Sequence, residues 1–155
     1  MEQIGILCSE LFSEYNANIK KSIAETGLSL IQAKVLFLAR IFEDNKLSQK
    51  DMAKICRTDT PAMSRTIDKL EESGYIVRSR KSEDSRCVSI ELSEEGIEKS
   101  NQVRSKFNDV NGSMFSELSD DDLNELKALL TKMAGQNEIF RKIHSDLLSD
   151  ISSDN

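Results

Sequence analysis

Tryptophan is absent from this chain, proline and histidine each occur once, and aromatic residues make up 5% of it. So little proline, only six glycines, and many Leu, Ile, Glu and Lys favour a mostly helical protein. No apolar run approaches the ~20 residues of a membrane span, and no charged-apolar-small signal segment opens the sequence, so a cytoplasmic protein without a membrane partner is expected. The three cysteines, Cys8, Cys56 and Cys87, are then expected to be reduced. The lone histidine, His144, has no Cys or His at ligand spacing, so no metal site is expected. There is no Gly-rich phosphate loop and no nucleophile elbow, so neither a cofactor nor a catalytic residue is expected, and an enzyme has no support.

What is present is concentrated between Leu47 and Leu92. Ser48 is a natural N-cap for a first helix, with Asp51 three residues on, and Met52, Ile55 and Cys56 share one face. Arg57-Thr58-Asp59 is a polar break. Thr60-Pro61 opens a second helix, Thr60 as the cap and Pro61 in the first turn, where a missing N–H costs nothing. Met63, Ile67 and Leu70 make a buried seam, and Gly74 ends the helix as a left-handed residue. Two extended runs follow, Tyr75–Arg80 and Arg86–Leu92, with Val88, Ile90 and Leu92 alternating with polar residues. A hairpin over two short helices closes a small core and leaves a polar helix face and a basic loop exposed. The fold class is mostly α (α+β), a winged helix-turn-helix with a two-stranded wing.

The chain of 155 residues suits a single domain. The formal net charge of −6 is unevenly spread: residues 46–92 carry ten basic and eight acidic side chains and are the only positive segment. An acidic remainder keeps the protein soluble and repels DNA from the wrong surface. Ile4, Leu7, Leu11, Tyr15 and Ile19 give a helix over residues 3–25, stopped by Gly27. Ser29 with Gln32 starts a second, whose Val35, Leu36, Leu38, Ala39 and Phe42 make it central. Ser93 starts a long helix through about Val110, with Ile97, Val103 and Phe107 on its apolar side and an interruption at Asn111-Gly112. Ser119 with Asp122 caps a last helix to about Leu148, kinked at Gly135.

The ordered motifs give this pattern a family. Leu28-Ser29-Leu30-Ile31-Gln32, Leu47-Ser48-Gln49-Lys50-Asp51-Met52-Ala53, Met63-Ser64-Arg65 with Asp68 to Gly74, Asp84-Ser85-Arg86 and Leu92-Ser93-Glu94-Glu95-Gly96 resemble, in order and spacing, the helix starts, recognition helix and wing of the MarR family of transcription regulators. The resemblance covers about residues 28–133 and implies a homodimer on a pseudo-palindromic double-stranded DNA operator. It implies most often a repressor, released by a small amphipathic effector, phenolic or carboxylate. The expected organisation is a DNA-binding lobe at 29–92 and a helical dimerisation region at 1–25 and 97–148.

Within that reading the DNA-facing residues are Ser48, the recognition-helix set Thr60, Pro61, Ala62, Ser64, Arg65 and Lys69, and the wing set Arg78, Arg80, Lys81, Asp84 and Arg86. Arginine reads guanine bidentately, Ser or Thr reads several bases, and small apolar groups meet the thymine methyl. Arg78, Arg80 and Lys81 are placed on phosphates, and Arg86 in the minor groove with Asp84 holding it. Taken alone, a polar helix face is ordinary solvated surface, and an Asp84–Arg86 pair is worth at most ~1 kcal/mol. Ile4, Leu7, Leu11, Leu126, Leu130, Met133, Ile139, Phe140, Ile143 and Leu147 form the expected dimerisation stripes, since one small winged module cannot cover them. Cys56 reads as a small core residue. Cys8 is a redox candidate because some relatives sense peroxides through a first-helix cysteine, but no Lys or Arg lies within a turn of it to activate a thiolate. The alternatives are a redox-sensing regulator and a winged-helix protein-interaction module without DNA.

Overall fold

The computed structural model describes residues 2–42, 48–80 and 88–134. The elements are α1 (Glu2–Ala24), α2 (Leu30–Ile41), α3 (Gln49–Ile55), α4 (Thr60–Glu72), β1 (Ile76–Arg80), β2 (Val88–Leu92), α5 (Glu94–Met114) and α6 (Asp120–Ala134). The mostly helical winged helix-turn-helix expected from the sequence is the fold observed.

Local chemistry explains where the helices begin. Ser29 accepts from the Gln32 amide at 3.3 Å while the Gln32 side chain accepts from the Ser29 amide at 2.9 Å, a complete capping box. Ser119 and Asp122 close the same reciprocal pair before α6, and the Ser119 donors hold the Asp122 carboxyl below its usual range. The expected cap of α4 is corrected by one residue. Asp59, not Thr60, accepts from the Ala62 amide, at 2.6 Å, so Thr60 already lies inside the helix. Asp59→Ala should therefore cost about 1 kcal/mol, and Thr60→Ala less than about 0.5 kcal/mol. Denaturant midpoints of the two variants measure the difference, and equal losses would return the cap to Thr60.

The core is centred on α2, which buries Ala33, Val35, Leu36, Leu38 and Ala39. Ile19 and Ile23 of α1, Met63, Ile67 and Leu70 of α4, Ile76 of β1, Ile90 of β2 and Val103 of α5 close around it. The rings of Phe37 and Phe107 meet at 5.3 Å with a 59° tilt, joining α2 to α5. The expected interruption at Asn111-Gly112 is absent: α5 runs through it to Met114. Glycine costs about 1 kcal/mol in a helix interior. Here Phe107 and Val110 pack against the core, and Tyr15 donates to Asn111 Oδ1 at 3.0 Å, which together outweigh that cost. The last helix is described to Ala134; its expected continuation to Leu148 and the kink at Gly135 lie outside the described residues.

β1 and β2 form an antiparallel pair in the register Ile76↔Leu92, Arg78↔Ile90 and Arg80↔Val88. Side chains alternate across a strand, so Ile76 and Arg78 share one face and Val77 takes the other. Ile76 is buried and Val77 is 53% exposed, which turns the Arg78 face toward the body of the protein.

Candidate nucleic-acid interface

α3, the turn Cys56–Asp59 and α4 are locked together by short-range bonds. The Ser48 hydroxyl accepts from the Asp51 amide at 3.1 Å and donates to the Asp51 carboxylate at 2.7 Å, so this residue acts as the α3 cap. Arg57 takes the left-handed region, φ 52°, and lets the Thr58 amide return to the Ala53 carbonyl at 3.0 Å. Gln49 donates to the Thr60 carbonyl, tying the start of α3 to the start of α4. Met63, Ile67 and Leu70 are fully buried on the inner side of α4. Thr60, Pro61, Arg65 and Lys69 are exposed on the outer side, with Ala62 and Ser64 half-buried at its margin. The structure thus places Thr60, Pro61, Ala62, Ser64 and Arg65 near the start of α4 and Lys69 in its last turn.

The base of the wing is a compact knot absent from the sequence reading. Gly74, at φ 76°, turns the chain out of α4. The Tyr75 amide then bonds the Leu70 carbonyl at 2.9 Å. Ser93 caps α5 by accepting from the Gly96 amide at 2.9 Å, and its hydroxyl donates back to the Gly74 carbonyl at 2.5 Å. The Ser93 amide bonds the Tyr75 carbonyl at 3.1 Å. Gly96 lies so close that a Cβ would fall on the Tyr75 carbonyl oxygen. The Lys99 ammonium lies 5.8 Å from the centroid of the Tyr75 ring. The end of α4, the root of β1 and the start of α5 therefore form one unit.

Arg78 does not project as a phosphate ligand should. Its guanidinium donates to Glu71 Oε2 at 2.9 Å and to Asp68 Oδ1, and its amide donates to Glu71 Oε1 at 3.3 Å. The register turns it onto α4, where its guanidinium meets two carboxylates. Arg80 has its backbone in β1; its side chain, and Lys81, Asp84 and Arg86, lie outside the described residues.

Away from the wing, Ile4, Leu7 and Leu11 of α1 are 61%, 69% and 51% exposed, and Leu130 and Met133 of α6 are 40% and 72% exposed. Leu126 is half-buried, and no residue from 120 to 133 is buried. Ile139, Phe140, Ile143 and Leu147 lie outside the described residues. An open groove of about 520 Å³ runs between α1 and α5, lined by Leu11, Tyr15, Lys21, Glu25, Asp109 and Met114 among others. Burial pushes the Tyr15 phenol above its ordinary value. The Lys106 ammonium, bonded to Glu25 beside this groove, lowers that carboxyl and is itself raised. Cys8 is half-buried on α1, and Cys56 packs at the edge of the core, where burial raises its thiol against a smaller opposing effect of Lys34. Among the described residues there is no group of side chains able to hold a metal ion, and no helix is long and apolar enough to cross a membrane.

A sequence model described as MarR family matches residues 30–88. The chain is 26% identical over 139 residues to the HTH-type transcriptional regulator BilQ of Clostridium symbiosum, covering 89% of this chain and 95% of BilQ. It is 30% identical over 105 residues to the organic hydroperoxide resistance transcriptional regulator of Bacillus subtilis, covering 66% of this chain and 69% of that protein. Among solved structures it is similar to CouR from Rhodococcus jostii RHA1 bound to p-coumaroyl-CoA, with a TM-score of 0.73 and 26% identity, covering 84% of this chain and 91% of CouR.

Proposed function

The chain belongs to the MarR family of winged-helix transcriptional regulators, and from that premise we propose that it binds double-stranded DNA as a homodimer, with α4 in the major groove. The observation that carries this reading is the solvent-facing row Thr60, Pro61, Arg65 and Lys69 on a helix whose opposite side is sealed into the core. A helix held so firmly from behind presents its outer side chains at fixed spacing, as reading of base edges requires. Arg86 of the wing enters the adjacent minor groove, with Asp84 holding it and Arg80 and Lys81 on phosphates. The lobe is residues 29–92, and the dimerisation region is 1–25 and 97–148. The exposed apolar stripes of α1 and α6 support the dimer, because surfaces of that kind seek a partner.

The protein acts as a repressor, released by a small amphipathic effector that shifts the separation of the two lobes. The p-coumaroyl-CoA in the similar CouR supports an amphipathic effector, and the groove between α1 and α5 offers space for its apolar body beside Leu11, Val110 and Met114. Selection from a random duplex library by the purified protein should yield a sequence with two related half-sites. On that operator Arg65→Ala should cost about 1–3 kcal/mol and relax sequence preference, as loss of a base contact does. Failure to enrich any duplex at low salt would overturn the proposal and favour a winged helix that binds protein alone.

A further inference from the structure

Arg78 carries a wing charge that is tied back onto α4. Its two terminal nitrogens are occupied by Glu71 and Asp68, its amide by Glu71 again, and its side chain is 28% exposed. Asp68 and Glu71 belong to the same helix as Arg65 and Lys69. We propose that Arg78 is a positioning residue for DNA binding, a fork that pins β1 to α4 through Asp68 and Glu71, without touching DNA itself. This rests on the DNA-binding reading above.

The parity of the strand makes the assignment specific. Arg78 follows buried Ile76 by two residues, so it faces α4 whatever the rest of the wing does. A planar guanidinium spans two acids and holds an angle between strand and helix; a lysine ammonium is a single point charge. The wing root and the recognition helix then move as one body, and the spacing between their two groove contacts is preset.

The test uses the full chain with Arg78→Ala, Arg78→Lys and the double variant Asp68→Asn/Glu71→Gln. Affinity for the selected operator and for a scrambled duplex is measured by fluorescence anisotropy across a salt series. Hydrogen exchange of residues 76–80 and 88–92 is followed in parallel. Arg78→Ala should bind the operator roughly tenfold more weakly, with scrambled binding and the salt slope little changed. The double variant should lose operator affinity in the same direction although it removes two negative charges, and Arg78→Lys should recover only part. Exchange of the strands should quicken in Arg78→Ala and in the double variant. A salt slope lower by about one unit in Arg78→Ala would make the residue a phosphate contact and overturn the proposal. So would a double variant that binds operator more tightly than the parent. If the parent binds no duplex, the DNA-binding reading falls and the DNA role of Arg78 with it, while exchange still reports whether the fork pins the strand. Should Arg78→Ala fail to fold, the double variant decides.

Discussion

Gly96→Ala is expected to destabilise the chain by about 3 kcal/mol, a fall of roughly 6–12 °C in Tm for a protein of this size. Propensity alone predicts the opposite sign, since alanine exceeds glycine by about 1 kcal/mol in a helix. The backbone is no obstacle, because among the described residues positive φ occurs at Arg57, Gly27 and Gly74 and not at Gly96. The obstacle is the Tyr75 carbonyl, which a Cβ would overlap and which, being backbone, has no rotamer to escape into. Relief requires α5 to lift from the wing root, and the Ser93 bonds to Gly74 and Tyr75 would stretch with it. Gly112→Ala is the control: its Cβ meets open space, and the helix propensity gain should appear there undiminished. Thermal melts of the two variants should move in opposite directions. A Gly96→Ala melt at or above the parent's would show that α5 and the wing root are not in fixed contact.

Leu7→Asp is expected to split the proposed dimer. The side chain is 69% exposed in the single chain. Burying one leucine is worth about 1.5–3 kcal/mol, and a two-fold interface contains the residue twice, so removal costs about 3–6 kcal/mol of association. That is roughly a hundred- to ten-thousandfold in dimer Kd, before the repulsion of two new carboxylates. Helix content should be unchanged, because so exposed a leucine contributes little to the core of its own chain. Sedimentation should then give a mass near 17.5 kDa for the variant and twice that for the parent. Operator affinity should fall steeply, since one lobe engages one half-site. A variant that remains dimeric would move the interface away from α1, and a monomeric parent would remove it.

Much of the fold was legible in the sequence because its signals are local. A Ser followed three residues on by Gln or Asp starts a helix whatever surrounds it, and α2, α3 and α6 begin where those pairs lie. Met63, Ile67 and Leu70 were bound to share a face, and all three are buried. Gly74 stopped α4 because a left-handed residue there costs glycine nothing. The alternation of β2 placed Ile90 inward.

Tertiary structure decided what local signals leave degenerate. Asp59 and Thr60 are both good caps and adjacent; the turn through Arg57, which fixes where the first helical amide points, selected Asp59. Asn111-Gly112 breaks helices in isolation, and only packing of Phe107 and Val110 with the Tyr15 bond carried α5 across it. Gly96 looked like any early-helix glycine until the Tyr75 carbonyl was set against it. Arg78 is indistinguishable from Arg80 by charge and spacing, and the carboxylates that hold it are seven and ten residues away on another element. Sequence determined which segments are helix, strand and stop, because those depend on neighbours a few residues apart; only the packing of β1 against α4 and of α5 against the wing root at Tyr75 decided which arginine serves the fold and which glycine has no room to change.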